Sequence, residues 1–360
     1  MADGGWQMAD GGWQKRAGGA NREAAIREAA NSAAANGANA MSDYRSDNVL
    51  GASPEIIEAI ARANRGTMTS YGGDEITERV RKRCCEIFET DVDVFPVISG
   101  IAGNALAIAT LARPGGTVRC HEQSHIVQDE LLAPEFFSGA TLQPVAGAHG
   151  KLLPGDASCL SLTNATEAGT IYTPDEVRAL CERAERVHID GARFANALAA
   201  QNCTPADLSW RSGADILVLG ATKNGGLAAD LVILFNRELK DELVTHWHRS
   251  GHRPSKMRFL SAQLEAYLTD DLWLRNARHA NAAAARLARG LASIDGVEIL
   301  QPVEANLVFV RFARPVPGYQ FGEWPLFGEG AQRIVTGFNT TDEDIDALIS
   351  GAAAALGRRN

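Results

Sequence analysis

Short apolar runs closed by small or polar residues recur along the chain: Val94 to Ile98, 117 to 120, Cys159 to Leu162, 187 to 189, Leu217 to Leu219 and Leu231 to Phe235. Runs this short, bounded by turn residues, read as buried strands. Between them lie stretches of helical character. The first carries both end signals, with Ser53 as N-cap, Pro54 at the first helical position and Gly66 as stop. A second covers about 75 to 88, a third runs from Ala105 to Leu111, and Thr173-Pro174-Asp175-Glu176 is a capping box opening another. Strands alternating with helices predict a mostly parallel sheet covered on both faces, with ligands gathered at the strands' carboxyl ends. From about 262 to 291 the pattern is long, alanine-rich and helical. Strands near 297 to 301, 307 to 312 and 332 to 336, and a capped final helix from Thr341, then make a smaller lobe. The expected class is α/β: a large domain over 42–261 and a small C-terminal α+β domain over 262–360 that acts as a lid or clamp.

Residues 1–41 depart from this pattern. Met-Ala-Asp-Gly-Gly-Trp-Gln occurs at 1 to 7 and again at 8 to 14, followed by Ala, Gly and Asn with few large apolar side chains. Such a composition predicts a disordered extension. Its basic residues Lys15, Arg16, Arg22 and Arg27 are matched by Asp3, Asp10, Glu23 and Glu28, unlike an acid-poor transit peptide.

A chain of 360 residues with 45% hydrophobic content can bury a large core. Its net charge of -9, without a basic cluster, speaks against nucleic acid or an anionic membrane as partner. No apolar run has the length of a transmembrane helix. Cys84, Cys85, Cys120, Cys159, Cys181 and Cys203 have no metal-ligand spacing, and several sit in apolar runs. They read as buried free thiols in a reducing, cytoplasmic compartment, and no metal site is expected.

Two strand ends carry the chemistry. Val187-His188-Ile189-Asp190-Gly191-Ala192-Arg193 ends an apolar strand in a carboxylate, and Leu217-Val218-Leu219-Gly220-Ala221-Thr222-Lys223-Asn224-Gly225-Gly226 ends a later one in a lysine among small residues. Pyridoxal phosphate (PLP) needs this pair: an Asp to keep the pyridinium nitrogen protonated and a Lys to form a Schiff base. Either residue alone reads as ordinary, Asp190 as a helix cap or local partner of Arg193, Lys223 as a loop lysine. Together, in this order at strand ends, they favour a PLP site.

Other strand ends fit around it. Ser99-Gly100-Ile101-Ala102-Gly103-Asn104 is a small-residue turn into a helix, whose first backbone N–H groups can seat a phosphate. His125 reads either as a surface helix cap or as an imidazole stacked on a planar cofactor. Tyr71-Gly72-Gly73-Asp74 is a plain turn or brings Tyr71 to the cofactor, and Thr163-Asn164-Ala165-Thr166-Glu167 is another polar strand end.

With these residues in view, the chain from about Tyr44 to Leu356 resembles the threonine aldolase family of PLP enzymes, within the aminotransferase-like fold type I. The resemblance rests on Arg45-Ser46-Asp47, Tyr71-Gly72-Gly73-Asp74, Ser99-Gly100 with Gly103-Asn104, Ser124-His125-Ile126, His188 to Arg193, Thr222-Lys223, Met257-Arg258 and Arg333-Ile334-Val335-Thr336. It implies Lys223 as Schiff-base lysine, Asp190 on the pyridinium nitrogen and His125 against the ring. It implies Gly100 and Ile101 N–H groups on the phosphate, with Arg258 reaching it from a neighbouring subunit of a homodimer or homotetramer. Ser46, Arg193 and Arg333 would hold a substrate carboxylate, a task suited to the guanidinium fork. The implied reaction cleaves threonine, allo-threonine or a related β-hydroxy-α-amino acid to glycine and an aldehyde. Two departures stand out: Ile101 where the family has a threonine, and Asn164-Ala165-Thr166-Glu167 where it often has Asn-Thr-His-Asn.

Two rival readings are a β-eliminating PLP lyase on the same scaffold and a catalytically silent PLP-binding protein. The stretch 313 to 331 holds prolines and glycines that forbid a long helix. The family usually has a helix there, so the small lobe is expected to lie partly uncovered, with Phe321, Trp324 and Phe327 folding over its sheet or meeting another chain, and with Arg333 softly held.

Overall fold

A computed structural model describes residues 6–9, 12–15 and 42–357. The expected disordered extension falls almost wholly outside them. Of that extension, Trp6–Ala9 and Gly12–Lys15 pair as an antiparallel hairpin with Trp6 opposite Lys15.

The apolar runs build a seven-stranded sheet from β1 (Asp93–Val97), β2 (Thr117–His121), β3 (Thr141–Val145), β4 (Cys159–Thr163), β5 (Val187–Gly191), β6 (Ile216–Leu219) and β7 (Asp230–Leu234). The spatial order is β1-β7-β6-β5-β4-β2-β3. From β3 across to β6 the pairings are parallel, while β7 runs antiparallel to both β1 and β6. The mostly parallel sheet is therefore present, and its one reversed strand brings the amino end of β7 to the edge where the other strands finish. Central strands β5, β6 and β7 are buried throughout; β6 is apolar along its length, while β5 carries His188 and Asp190 and β7 opens on Asp230.

Helices cover both faces. α1 (Pro54–Ala63) ends three residues before Gly66, which takes a left-handed φ of 63° in the turn beyond. α2 (Glu75–Phe88) is capped by the Asp74 carboxylate, which accepts from Thr77 N at 2.9 Å. α3 (Gly100–Leu111) is apolar nearly all round and lies against the sheet. A Cβ at Gly103 would stand 2.6 Å from Val218 Cγ1, so this glycine sets how closely α3 approaches β6.

The single long helix expected over 262 to 291 is instead two, α4 (Arg258–Tyr267) and α5 (Leu272–Ala292). Asp270 and Asp271 break it, taking left-handed φ values of 50° and 59°, a conformation Asp tolerates better than most side chains. The stretch opened by His125 is likewise a single turn, His125–Gln128.

A second, antiparallel sheet contains β8 (Val297–Ile299), β9 (Leu307–Phe312), β10 (Gly322–Glu323) and β11 (Ala331–Val335) in the order β8-β9-β11-β10. Val308, Val310 and Ile334 on one face pack against α5 and α6 (Asp342–Leu356), the latter opened by a Thr341–Asp344 capping box. Leu307, Phe309 and Val335 form the other face, where Trp324 and Phe327 cover them. Phe321 goes to the helical side, stacked on Tyr319 and touching Phe312. Among the described residues, those from Asp43 onward form one compact unit.

Candidate active site

The carboxyl edge of the large sheet opens on a cleft of about 190 Å³ lined by Ser99, Gly100, Ile101, Asn104, His125, Glu130, Asp190, Lys223 and Asp230, among others. Lys223 sits in a single 3-10 turn, Thr222–Asn224, directly beyond β6. Asp230, at the amino end of the reversed strand β7, braces that turn: its Oδ1 accepts from Ala221 N at 2.8 Å and Thr222 N at 3.1 Å. From below, Asn224 donates to Tyr267 Oη at 2.9 Å and Trp273 O at 2.8 Å. Lys223 itself makes no hydrogen bond or ion pair with the described residues, so its amine is available at the end of a rigid turn. Burial pushes the Asp230 carboxyl above the ordinary range, against the two backbone N–H groups and Lys223.

Asp190 ends β5 on the cleft floor. Its Oδ1 accepts from Ala192 N at 3.0 Å and its Oδ2 from Asn104 Nδ2 at 3.0 Å. The same Asn104 amide donates to Glu130 Oε1 at 2.8 Å, and His125 Nδ1 lies 2.8 Å from that oxygen. A continuous polar chain thus links His125, Glu130, Asn104 and Asp190. Burial alone would pull the His125 imidazole down, but the hydrogen bond to Glu130, with Asp190 and Glu167 nearby, leaves it above its usual value. Glu130 is raised by burial and by Asp190.

At the head of α3, Ser99 Oγ accepts from Ala102 N, and the N–H groups of Gly100 and Ile101 precede the intrahelical ladder. A Cβ at Gly100 would meet nothing nearer than Asp230 Oδ2 at 3.8 Å, so the space above this first turn is open. An anion fits there.

The remaining candidates do not line this cleft. Arg193 is buried against Asp47, with Nε to Oδ2 at 2.8 Å and Nη2 to Oδ1 at 3.0 Å, and Asn306 adds a third bond to Asp47 at 3.2 Å. Burial works against both charges, yet each stabilises the other's ionised form. Ser46 caps the turn Asp47–Val49 by accepting from Asn48 N at 3.1 Å. Arg333 donates to Arg45 O at 3.0 Å and has no acidic partner among the described residues. Burial and Arg193 lower its pKa, with Glu167, Asp47 and Asp129 opposing. Arg258 donates to Gly66 O at 3.4 Å and lies over the Phe259 ring, 5.1 Å from its centroid, while its Nε is buried without a partner among the described residues. Tyr71 is exposed and held through its backbone by Arg253.

Sequence reasoning passed over Asp47, Asn104, Glu130, Asp230 and Asn306. Asp47 and Asn104 stood inside motifs already singled out, and Asp230 is an acid opening an otherwise apolar strand, a signal in itself. Glu130 and Asn306 carry no comparable mark.

Residues 43–315 match the family model described as beta-eliminating lyase. The chain belongs to this family. It is 38% identical over 340 residues to a low specificity L-threonine aldolase of Pseudomonas aeruginosa, covering 87% of this chain and 98% of that protein. It is 37% identical over 339 residues to a low specificity L-threonine aldolase of Pseudomonas sp. (strain NCIMB 10558), covering 87% of this chain and 97% of that one. In structure it is similar to a threonine aldolase of Leishmania major, with a TM-score of 0.76 and 24% identity over 87% of this chain and 99% of that one. The expected fold type I architecture and the resemblance drawn from the motifs are borne out.

Proposed function

We propose that this chain is a PLP-dependent aldehyde-lyase that cleaves L-threonine, L-allo-threonine or related β-hydroxy-α-amino acids to glycine and an aldehyde. The carrying observation is the convergence of Lys223, Asp190 and His125 on one cleft in a chain related over nearly its whole length to low specificity L-threonine aldolases.

The residues present fit the cofactor. Lys223 would hold its carbonyl carbon, Asp190 its pyridinium nitrogen, His125 its ring face, and the Gly100 and Ile101 N–H groups its phosphate. Arg258 of a neighbouring subunit would add a cation there; within its own chain no described carboxylate pairs with that guanidinium. When bound, the cofactor supplies the electron sink for the carbanion left as the Cα–Cβ bond breaks. Everything else falls to the protein. Asn104 and Ala192 N fix the Asp190 carboxylate in one orientation. Glu130 fixes the His125 ring and sustains its proton, so that His125 can exchange a proton with the β-hydroxyl, directly or through water. Arg193, Arg333 and Ser46 would hold the substrate carboxylate, and so select which bond at Cα is aligned to break. Nη1 of Arg193 keeps no partner among the described residues, leaving it a donor to offer.

A soluble homo-oligomer in a reducing cytoplasm completes the reading. Its support is the implied role of Arg258 across subunits and six unpaired cysteines. No helix among the described residues is long and apolar enough to cross a membrane.

The test is incubation of purified protein and PLP with a panel of aliphatic and aryl β-hydroxy-α-amino acids, assaying glycine and aldehyde. A keto acid with ammonia would replace this reading with β-elimination; cofactor bound without turnover would replace it with a silent binder.

A further inference from the structure

Arg333 is held without a carboxylate. On β11 it stands opposite Phe309 of β9 on one side and Gly322 of β10 on the other. Trp324 follows Gly322 by two residues and therefore returns to the same face. There its indole lies against the Arg333 guanidinium, with the guanidinium carbon 4.3 Å from the ring centroid. On the same face Trp324 also packs on Phe309, at 5.6 Å between centroids, and Phe327 supports Phe309 at 4.8 Å.

Gly322 lies beside this contact. A Cβ at that position would stand 3.6 Å from Arg333 Nε and 3.3 Å from Arg45 O, the oxygen that receives the Arg333 Nη2 bond. The indole Nε1 is buried and finds no partner among the described residues. A hydrogen bond therefore does not fix the ring; packing on Phe309 and stacking on the cation do. A guanidinium fixed by a ring face and one backbone oxygen keeps its full charge for an incoming anion, whereas an acidic partner would neutralise it.

We propose that Trp324 is a positioning residue for Arg333: its indole face holds the guanidinium in the orientation that receives the substrate carboxylate, and so acts on KM more than on kcat. The inference rests on the aldolase reading above. It also revises the expectation that the proline- and glycine-rich connection leaves Arg333 softly held.

The experiment compares Trp324→Leu, Trp324→Phe, Arg333→Leu and the Trp324→Leu/Arg333→Leu double variant in the PLP-loaded enzyme. Trp324→Leu is expected to raise KM about 3- to 30-fold, the range of a partly desolvated cation–π contact, with a smaller fall in kcat. Trp324→Phe keeps a ring face and is expected to restore most of the loss. The double variant should be no worse than Arg333→Leu alone. Additive effects, an unchanged KM in Trp324→Leu, or a Phe variant as impaired as the Leu one would each overturn the proposal. A second readout needs no turnover: in arginine-labelled protein, the Arg333 Nε–H resonance should be displaced by the indole ring current and return to its ordinary position in Trp324→Leu. An undisplaced wild-type signal overturns the stacking. If wild type forms no glycine, the aldolase reading fails separately, and titrating this signal with glycine as carboxylate probe in wild type and Trp324→Leu still decides: tighter response in wild type supports Trp324, equal response overturns it.

Discussion

Arg193 and Asp47, 146 residues apart in the chain, close a bidentate ion pair whose side chains are only 5% and 1% exposed. Asp47 belongs to the turn before α1 and Arg193 lies two residues beyond β5, so the pair ties the start of the folded chain to the floor of the site. Removing one partner leaves the other charged and buried, which costs about 3–5 kcal/mol. Asp47→Asn is therefore expected to lose stability of that order in equilibrium denaturation. A second consequence follows from sign. Arg193 and Lys223 hold the Asp47 carboxyl below its ordinary range despite burial. Its stabilisation is present above the unfolded carboxyl pKa and disappears as pH falls through the lower folded value. Acid unfolding of wild type should thus carry a component that Asp47→Asn lacks.

Lys223 is the lysine expected to carry the cofactor. The turn it occupies is braced on both sides by Asp230 and Asn224, and no described residue makes a hydrogen bond or ion pair with its amine. Borohydride treatment of the PLP-loaded protein, followed by peptide mapping, should put the reduced adduct on Lys223, and Lys223→Ala should abolish turnover. An adduct on Lys240 or Lys256 would refute the assignment; Lys240 is already paired with Asp93 at 2.7 Å.

The His125–Glu130 contact makes a pH prediction. Burial pulls the His125 imidazole down, but Glu130, Asp190 and Glu167 together outweigh it, so His125 should titrate above its ordinary 6.5. A raised histidine stabilises the fold fully below the unfolded pKa and loses that contribution as pH rises through the folded one. Glu130→Gln should move the titration downward, as followed by histidine NMR. His125→Phe, which keeps an aromatic face and loses the proton, should reduce kcat about 10²-fold while PLP affinity stays near wild type. An unimpaired rate would transfer the proton role to Glu167, a half-buried carboxylate within electrostatic reach of His125, Arg193 and Arg333.

The parts of this molecule that sequence exposes are those where one residue's environment is set by its own segment. β5 and β6 were legible because strands buried on both faces are mainly apolar, and their ends were legible because a carboxylate closes one run and a lysine follows the other among small residues. β3 was not: as an edge strand with exposed positions and Pro144 within it, Thr141–Val145 has no apolar run to betray it. The reversal of β7 was equally hidden, since direction is decided by pairing and not by composition; with it went Asp230, whose brace on the Lys223 turn exists only because β7 points backward. Glu130 and Asn306 act across distances of 26 and 259 residues, to Asn104 and Asp47, which no local pattern encodes. The helix break at Asp270 and Asp271 was written in the chain but overruled by the alanine-rich periodicity around it.

The last prediction concerns His188, two residues before Asp190 on the same face of β5 and fully buried. Its Nδ1 lies 2.9 Å from Ser161 Oγ on β4, and its Nε2 finds no partner among the described residues. Burial pushes its pKa down to about 4, and neighbouring Asp190 opposes this only in part. The imidazole is therefore neutral in the folded protein throughout the physiological range. In the unfolded chain it takes up a proton near pH 6.5. Between these values the unfolded state binds more protons, so stability rises with pH across that window and is lost as pH falls toward 4. The contribution amounts to roughly 2 kcal/mol between pH 7 and pH 5. Denaturation at both pH values should show this slope in wild type and a correspondingly smaller one in His188→Gln, whose side chain cannot titrate. Because His125 and Glu130 remain in both proteins, the difference between the two slopes isolates His188. An identical slope in the variant would mean that His188 is already charged in the fold, with Asp190 as its counter-ion, and that the carboxylate at the cleft floor is compensated from below.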